Sequence, residues 1–257
     1  MVAEPLVLIT GAGGALGTVL RHRLPDLGWR VRGLELRPGS DDAPDTVVGS
    51  VADPDVMKVA CEGVDSIVHL GGTSVPGHGW GAYLENNIHG TQTVLEAARL
   101  AGVRRVALAS SNHAAGYVER RDRPLPADVV VRPDSFYGVS KAAIEALGSF
   151  YADEYGLQTT SIRIGSCFPE VTSWRMLSTW LSEDDFVRLV EAALRGPWHG
   201  HSTVWGISRN TRRWWSLEAG ERIGYRPQDD AEAFATTLVE EPTDRVGGSS
   251  PPALVRG

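Results

Sequence analysis

Pro5-Leu-Val-Leu-Ile-Thr10 leads directly into Gly11-Ala-Gly-Gly-Ala-Leu-Gly17 and then into Thr18-Val-Leu-Arg-His-Arg-Leu24. The apolar, β-rich run reads as a buried first strand, and the stretch after the glycines carries a helical pattern. Gly11, Gly14 and Gly17 repeat every third position. In a strand–turn–helix unit the first glycine permits the tight turn and the second lets backbone approach a pyrophosphate. The third lets the helix lie close on the strand. Free N–H groups at the start of that helix then face the phosphates. A glycine trio alone says little, but the strand before it and the helix after it make this a dinucleotide-binding turn, with Gly13, Ala15 and Leu16 in the same loop.

Trp29-Arg-Val-Arg-Gly-Leu-Glu35 reads as the second strand and ends on an acid 18 residues beyond Gly17. An acid at that point accepts hydrogen bonds from ribose hydroxyls and repels a 2′-phosphate, so Glu35 argues for NAD over NADP. Arg37, two residues on, tempers that preference. Strands and helices then alternate, as in a parallel sheet covered on both faces. Further strands are expected at Ser66–Leu70, Arg105–Ala109, Thr159–Arg163 and Ser202–Ile207. Helices are expected at Tyr83–Ala101, from just after Pro133-Asp134 to Tyr155, from an N-cap at Ser182 to Leu194, and at Asp230–Glu240. The tail from Pro242, with Gly247-Gly-Ser-Ser-Pro-Pro252, reads as flexible or partner-wrapping. The expected organisation is one α/β domain over 1–257, a doubly wound Rossmann-type parallel sheet with helices on both faces. Residues 165–240 would supply a small C-terminal substrate-binding part.

A chain of 257 residues with net charge −7 and scattered charges does not suit nucleic acid or an anionic membrane as main partner. The first strand starts too near Met1 for a signal peptide, and no long uncharged apolar run spans a bilayer. Cys61 and Cys167 stand alone, as expected in a reducing cytoplasm, and the histidines form no metal-binding spacing.

Chemistry is expected at Tyr137-Gly-Val-Ser-Lys141. Of 25 basic residues only Lys58 and Lys141 are lysines. Four positions put Tyr137 and Lys141 on one helix face. A phenol beside a fixed ammonium is expected to ionise more easily and to take a proton from an alcohol. Ligands of such sheets bind beyond the carboxyl ends of the strands. There Leu70, Gly71 and Gly72 offer backbone to a cofactor, with Ser74 at the rim. Ser110-Ser111-Asn112-His113 follows the Arg105 strand, and Asn87 is placed to orient the lysine or a bridging water.

The glycine loop, Ser111, Tyr137 and Lys141 together resemble the extended short-chain dehydrogenase/reductase family, relatives of the sugar-nucleotide epimerases and dehydratases. The likeness runs from Pro5 to at least Arg163. It implies Ser111, Tyr137 and Lys141 as catalytic residues, Asn87 as their helper, and NAD as cofactor. The family often has an aspartate where this chain has Ser50, so adenine contact would come from backbone around Val51. Ser110 to His113, Arg163 to Glu170, Arg175 to Trp180 and Val204-Trp-Gly206 resemble the uronate dehydrogenases within that family. This narrower likeness implies oxidation at C1 of D-glucuronate or D-galacturonate to an aldarolactone. It implies that Ser74, Ser111, Asn112, His113, Tyr137, Ser166 and Arg175 hold the sugar acid, with Ser110, Ile164 and Cys167 on the cofactor side. The guanidinium of Arg175 suits a planar carboxylate, gripped two-pronged at the end of the sugar opposite C1. A homo-oligomer is common among such proteins. The alternatives are a sugar-nucleotide epimerase or dehydratase with tightly held NAD, and a non-catalytic dinucleotide-binding sensor.

Overall fold

The computed structural model describes residues 4–37, 45–74, 76–241 and 244–248. In chain order the elements begin β1 (Leu6–Thr10), α1 (Ala15–Arg23), β2 (Arg30–Glu35), β3 (Thr46–Val48), α2 (Pro54–Ala60) and β4 (Ser66–His69). A continuous helical stretch follows: α3 (Trp80–Tyr83), a π-helical segment Leu84–His89, and α4 (Gly90–Leu100). Then come β5 (Arg105–Ser111), a 3₁₀ turn at Asn112–Ala115, α5 (Phe136–Tyr155), β6 (Gln158–Ile164), α6 (Met176–Thr179), α7 (Glu183–Arg195), β7 (His201–Gly206) and α8 (Glu218–Arg222). A 3₁₀ segment, Ala231–Thr237, precedes the last described residues.

Seven strands form one sheet in the order β3-β2-β1-β4-β5-β6-β7, and every neighbouring pair is parallel. The order reverses between β1 and β4, and a crevice opens there beyond the strand ends. Alternation along β1 explains why both faces are covered. Val7 and Ile9 enter a core with Phe186, Leu189 and Trp205, whereas Leu6 and Leu8 enter the opposite core with Val94, Leu95 and Ile144. Each fully buried aliphatic side chain contributes roughly 1.5–3 kcal/mol. A third, smaller cluster of Val171, Met176, Leu177, Trp180 and Ala231 supports the loop beyond β6.

Several boundaries differ from the sequence reading. Strand β5 runs on through Ser110 and Ser111, because both pair in register with Arg163 and Ile164 of β6. The short strand β3 and helices α2 and α8 carry no strong periodic signal and were not anticipated. The segment expected as a final helix over Asp230–Glu240 is 3₁₀ and shorter. Ser182 caps α7 as expected, accepting from the Asp185 amide. Of the tail expected to be flexible from 242 to 257, residues 249–257 and 242–243 lie outside the described residues. Residues 244–248 pack back onto the body, with Val246 fully buried and its amide bonded to Val118 O at 3.0 Å.

Candidate active site

Two connected hollows line the strand ends. The first, of about 550 Å³, is walled by Gly11, Gly13, Gly14, Glu35, Ser50, Val51, Leu70, Gly71, Gly72 and Ser74. The second, of about 450 Å³, shares Gly11, Gly14, Leu70 and Ser74, and adds Ala15, Leu16 and Gly17. It continues past Ser110, Ser111, Asn112, His113, Tyr137 and Lys141 to Ile164, Ser166, Cys167 and Arg175. All the anticipated site residues but Asn87 therefore face one cleft.

The glycine turn lines both hollows and is built from backbone. Gly11 takes φ +69°, and a Cβ there would stand 2.9 Å from the Gly71 amide nitrogen. A Cβ on Gly17 would come within 2.8 Å of Ala12 Cα and closer still to Gly11 O. Neither position admits a side chain, so α1 begins hard against the turn with its N-terminus toward the cleft. Glu35 closes the far wall: its carboxylate accepts from the Gly13 amide at 2.9 Å and the Leu36 amide at 2.8 Å. Buried His69 ties the strand ends together, bonding Thr10 Oγ1 at 2.7 Å and Thr91 Oγ1 at 3.0 Å. Burial, with the Lys141 charge adding to it, pushes its pKa down to about 3, so it works as a neutral strut. A dinucleotide fits this cradle: there is room for a pyrophosphate against glycine backbone and an acid at the ribose position.

Beyond the glycine turn, the second hollow is built mainly from side chains. Helix α5 starts at a Ser135 cap and presents Tyr137 and Lys141 on its buried face, as the spacing requires. Lys141 Nζ lies 5.5 Å from the Tyr137 ring centroid and donates to Ala109 O at 2.7 Å. The expected acidity of the phenol is not met by the protein's own groups. Burial pushes Tyr137 up to about 12, against an opposing pull from the Ser111 hydroxyl and with a smaller push from Tyr83. The same burial pushes Lys141 down to about 8. Sequence spacing reported the proximity of the ammonium but not the low-dielectric setting that both groups share.

Asn87 stands behind the cleft. It clamps Thr73, accepting from the amide at 2.7 Å and donating to the carbonyl at 3.1 Å, and it donates to Ser140 Oγ at 2.8 Å. Ser110 contributes backbone only, since its hydroxyl donates to Glu145 Oε1 at 2.6 Å beneath the sheet. Glu145 is held by Arg163 at 2.8 Å through both oxygens, a buried ion pair that supports the ends of β5 and β6. Burial, then the Glu183 charge, pushes Cys167 up to about 12, which favours the protonated thiol in the wall of the cleft.

Arg175 closes the cleft. Its Nη1 reaches Ser166 Oγ at 3.3 Å, its Nη2 donates to the Val246 carbonyl, and its buried Nε has no hydrogen-bond partner among the described residues. The same Val246 carbonyl accepts from Asn112 Nδ2 at 3.1 Å. The sequence reading missed this strap, as it missed Thr179, which bonds Ser166 at 2.9 Å, and Asp134, which bonds His113 Nδ1 at 2.9 Å. Asp134 sat in plain view before α5, where it reads only as part of a helix start.

A parallel sheet in this order, with a glycine cradle at the reversal point and a Tyr/Lys/Ser group beside it, defines a dinucleotide-dependent α/β protein. The model of the NAD dependent epimerase/dehydratase family matches residues 7–214, and this chain belongs to that family. It is 42% identical over 239 residues to the uronate dehydrogenase of Pseudomonas putida, covering 92% of this chain and 88% of that protein. A mutant of the uronate dehydrogenase from Agrobacterium tumefaciens, solved in complex with NAD, superposes with a TM-score of 0.88 at 41% identity, over 95% of this chain and 96% of that one. Glucuronic acid dehydrogenase from Chromohalobacter salexigens gives 0.89 at 36% identity, over 96% and 98%. No helix among the described residues is long and apolar enough to cross a membrane.

Proposed function

We propose that this chain is an NAD-dependent uronate dehydrogenase, oxidising C1 of D-glucuronate or D-galacturonate to the aldarolactone. The observation that carries the reading is the side-chain hollow itself. It brings a proton-handling group (Ser111, Tyr137, Lys141) and the Arg175 guanidinium into one space of about 450 Å³ that reaches back to the glycine turn, so a sugar acid and the reacting end of the cofactor would meet there. The similar uronate dehydrogenases support it.

Gly11, Gly14 and Gly17, the start of α1 and Glu35 would hold NAD, which when bound supplies the hydride acceptor. Arg175 and Ser166 grip the carboxylate and so aim the opposite end of the ring at the reacting position. Ser111 Oγ holds the C1 hydroxyl against Tyr137 Oη, which receives its proton. Lys141 carries a nearby positive charge that favours the phenolate, against the burial that opposes it. The wall of Cys167 and Ile164 excludes water from that end. The protein acts as a homo-oligomer of the cytoplasm in this reading, with neither nucleic acid nor membrane as a partner.

The test is absorbance at the NADH band after adding glucuronate, galacturonate or a UDP-sugar to enzyme and NAD. Either uronate should yield net NADH. NADH from neither, with turnover of the UDP-sugar, would favour the epimerase alternative. Binding of NAD with no turnover of any sugar would favour the sensor.

A further inference from the structure

Asp134 is almost fully buried, its side chain 4% exposed, yet the reaction described above gives it nothing to do. Both of its carboxylate oxygens lie 2.9 Å from His113 Nδ1. Oδ1 also accepts from Ser135 Oγ at 3.1 Å. Gly116 and Gly247 press against the carboxylate so closely that a Cβ at either position would overlap it. One buried acid thus sits where the turn after β5, the start of α5 and the 244–248 strap converge. Its charge also reaches Arg175, where it opposes the effect of burial. His113 lines the substrate hollow, and its ring meets that of Tyr137 edge-on at 5.8 Å between centroids. Among the described residues its Nε2 has no hydrogen-bond partner.

An ionised carboxylate only accepts hydrogen bonds, so Nδ1 facing it must carry the hydrogen. A neutral imidazole then has a bare Nε2, which can accept but not donate. We infer that Asp134 is a positioning residue that fixes the tautomer of His113, so that Nε2 accepts a hydrogen bond from one ring hydroxyl of the sugar acid. Because the His113 ring lies edge-on to that of Tyr137, a hydroxyl bonded in this way would be held near the reacting phenol. The inference rests on the uronate reading for the ligand's identity, but the tautomer follows from the protein alone.

Two measurements test it. In the wild-type protein at mildly alkaline pH, the ring ¹⁵N resonances of His113, assigned by their loss in His113→Gln, should show hydrogen on Nδ1 and none on Nε2. Any other pattern overturns the inference, whatever the substrate. In kinetics, Asp134→Asn removes the enforced tautomer at nearly constant volume. The uronate KM should rise about tenfold or more while kcat changes less and the NAD KM stays put, since a lost hydrogen bond to a buried partner has that scale. The same comparison with 2-, 3- and 4-deoxyuronates should show the penalty vanish for the analogue lacking the bonded hydroxyl. An equal penalty for every analogue would mean that Asp134 only holds the loop, and would overturn the inference. Should the wild type oxidise no uronate, the functional reading fails, while the ¹⁵N result still decides the tautomer.

Discussion

The cofactor and substrate halves of the cleft recognise by opposite means. In the cofactor half the chain removes side chains: Gly11 and Gly17 leave backbone where nothing larger fits, and a single acid, Glu35, adds discrimination. In the substrate half it assembles side chains from β5, α5 and the loop after β6, and the Val246 carbonyl of the 244–248 strap holds the Arg175 guanidinium. A backbone cradle is local and is written in a few consecutive residues. A side-chain pocket is a long-range object, and each of its members depends on elements far away in the chain.

Substitutions should separate the halves. The largest effect is expected from Tyr137→Phe, which removes the proton acceptor: turnover should fall about 10²–10⁴-fold, with NAD binding retained in a fluorescence titration. Retained turnover would take Tyr137 out of its role. Arg175→Ala comes next and should raise the uronate KM about 10- to 100-fold, the scale of charge-assisted hydrogen bonds, again without loss of NAD affinity. An unchanged KM would refute the carboxylate grip. Gly17→Val reverses the pattern. Its side chain meets Gly11 O and Ala12, so stability should fall by about 1–3 kcal/mol in thermal or urea unfolding, and NAD affinity should fall with it.

Lys141 lies on the seam, and its effect is the smallest and depends on pH. Its pKa falls from 10.5 unfolded to about 8 folded. The unfolded state therefore binds more protons between those values, and the charged lysine costs stability below pH 8 that is recovered as pH rises toward 10.5. Lys141→Met should accordingly be more stable than wild type below pH 8, by about 1–2 kcal/mol after loss of the Ala109 hydrogen bond. That gain should shrink as pH approaches 10.5. A gain independent of pH would mean the ammonium is not desolvated.

The same contrast explains what could be read from sequence. The order β1, glycine turn, α1 is contiguous, and so are the β2 end at Glu35 and the Tyr137/Lys141 turn of α5; periodicity and spacing expose all of them. The pairing of Asp134 with His113 crosses 21 positions, and that of Val246 with Asn112 crosses 134, with no periodic signal in either. Arg175 was reached by likeness to a known family and by the fit of a guanidinium to a carboxylate, not by its place in the chain. The rise of the Tyr137 pKa was missed because burial is a property of the packed cleft, while spacing reports only neighbours.

D-Glucuronate deuterated at C1 offers the most direct trial. Incubated with enzyme and NAD, it should give NADH carrying one deuterium per molecule by mass spectrometry, and a lactone carrying none at that carbon. NADH without deuterium, or a sugar product that keeps its label, would show that C1 is not the atom held against the cofactor.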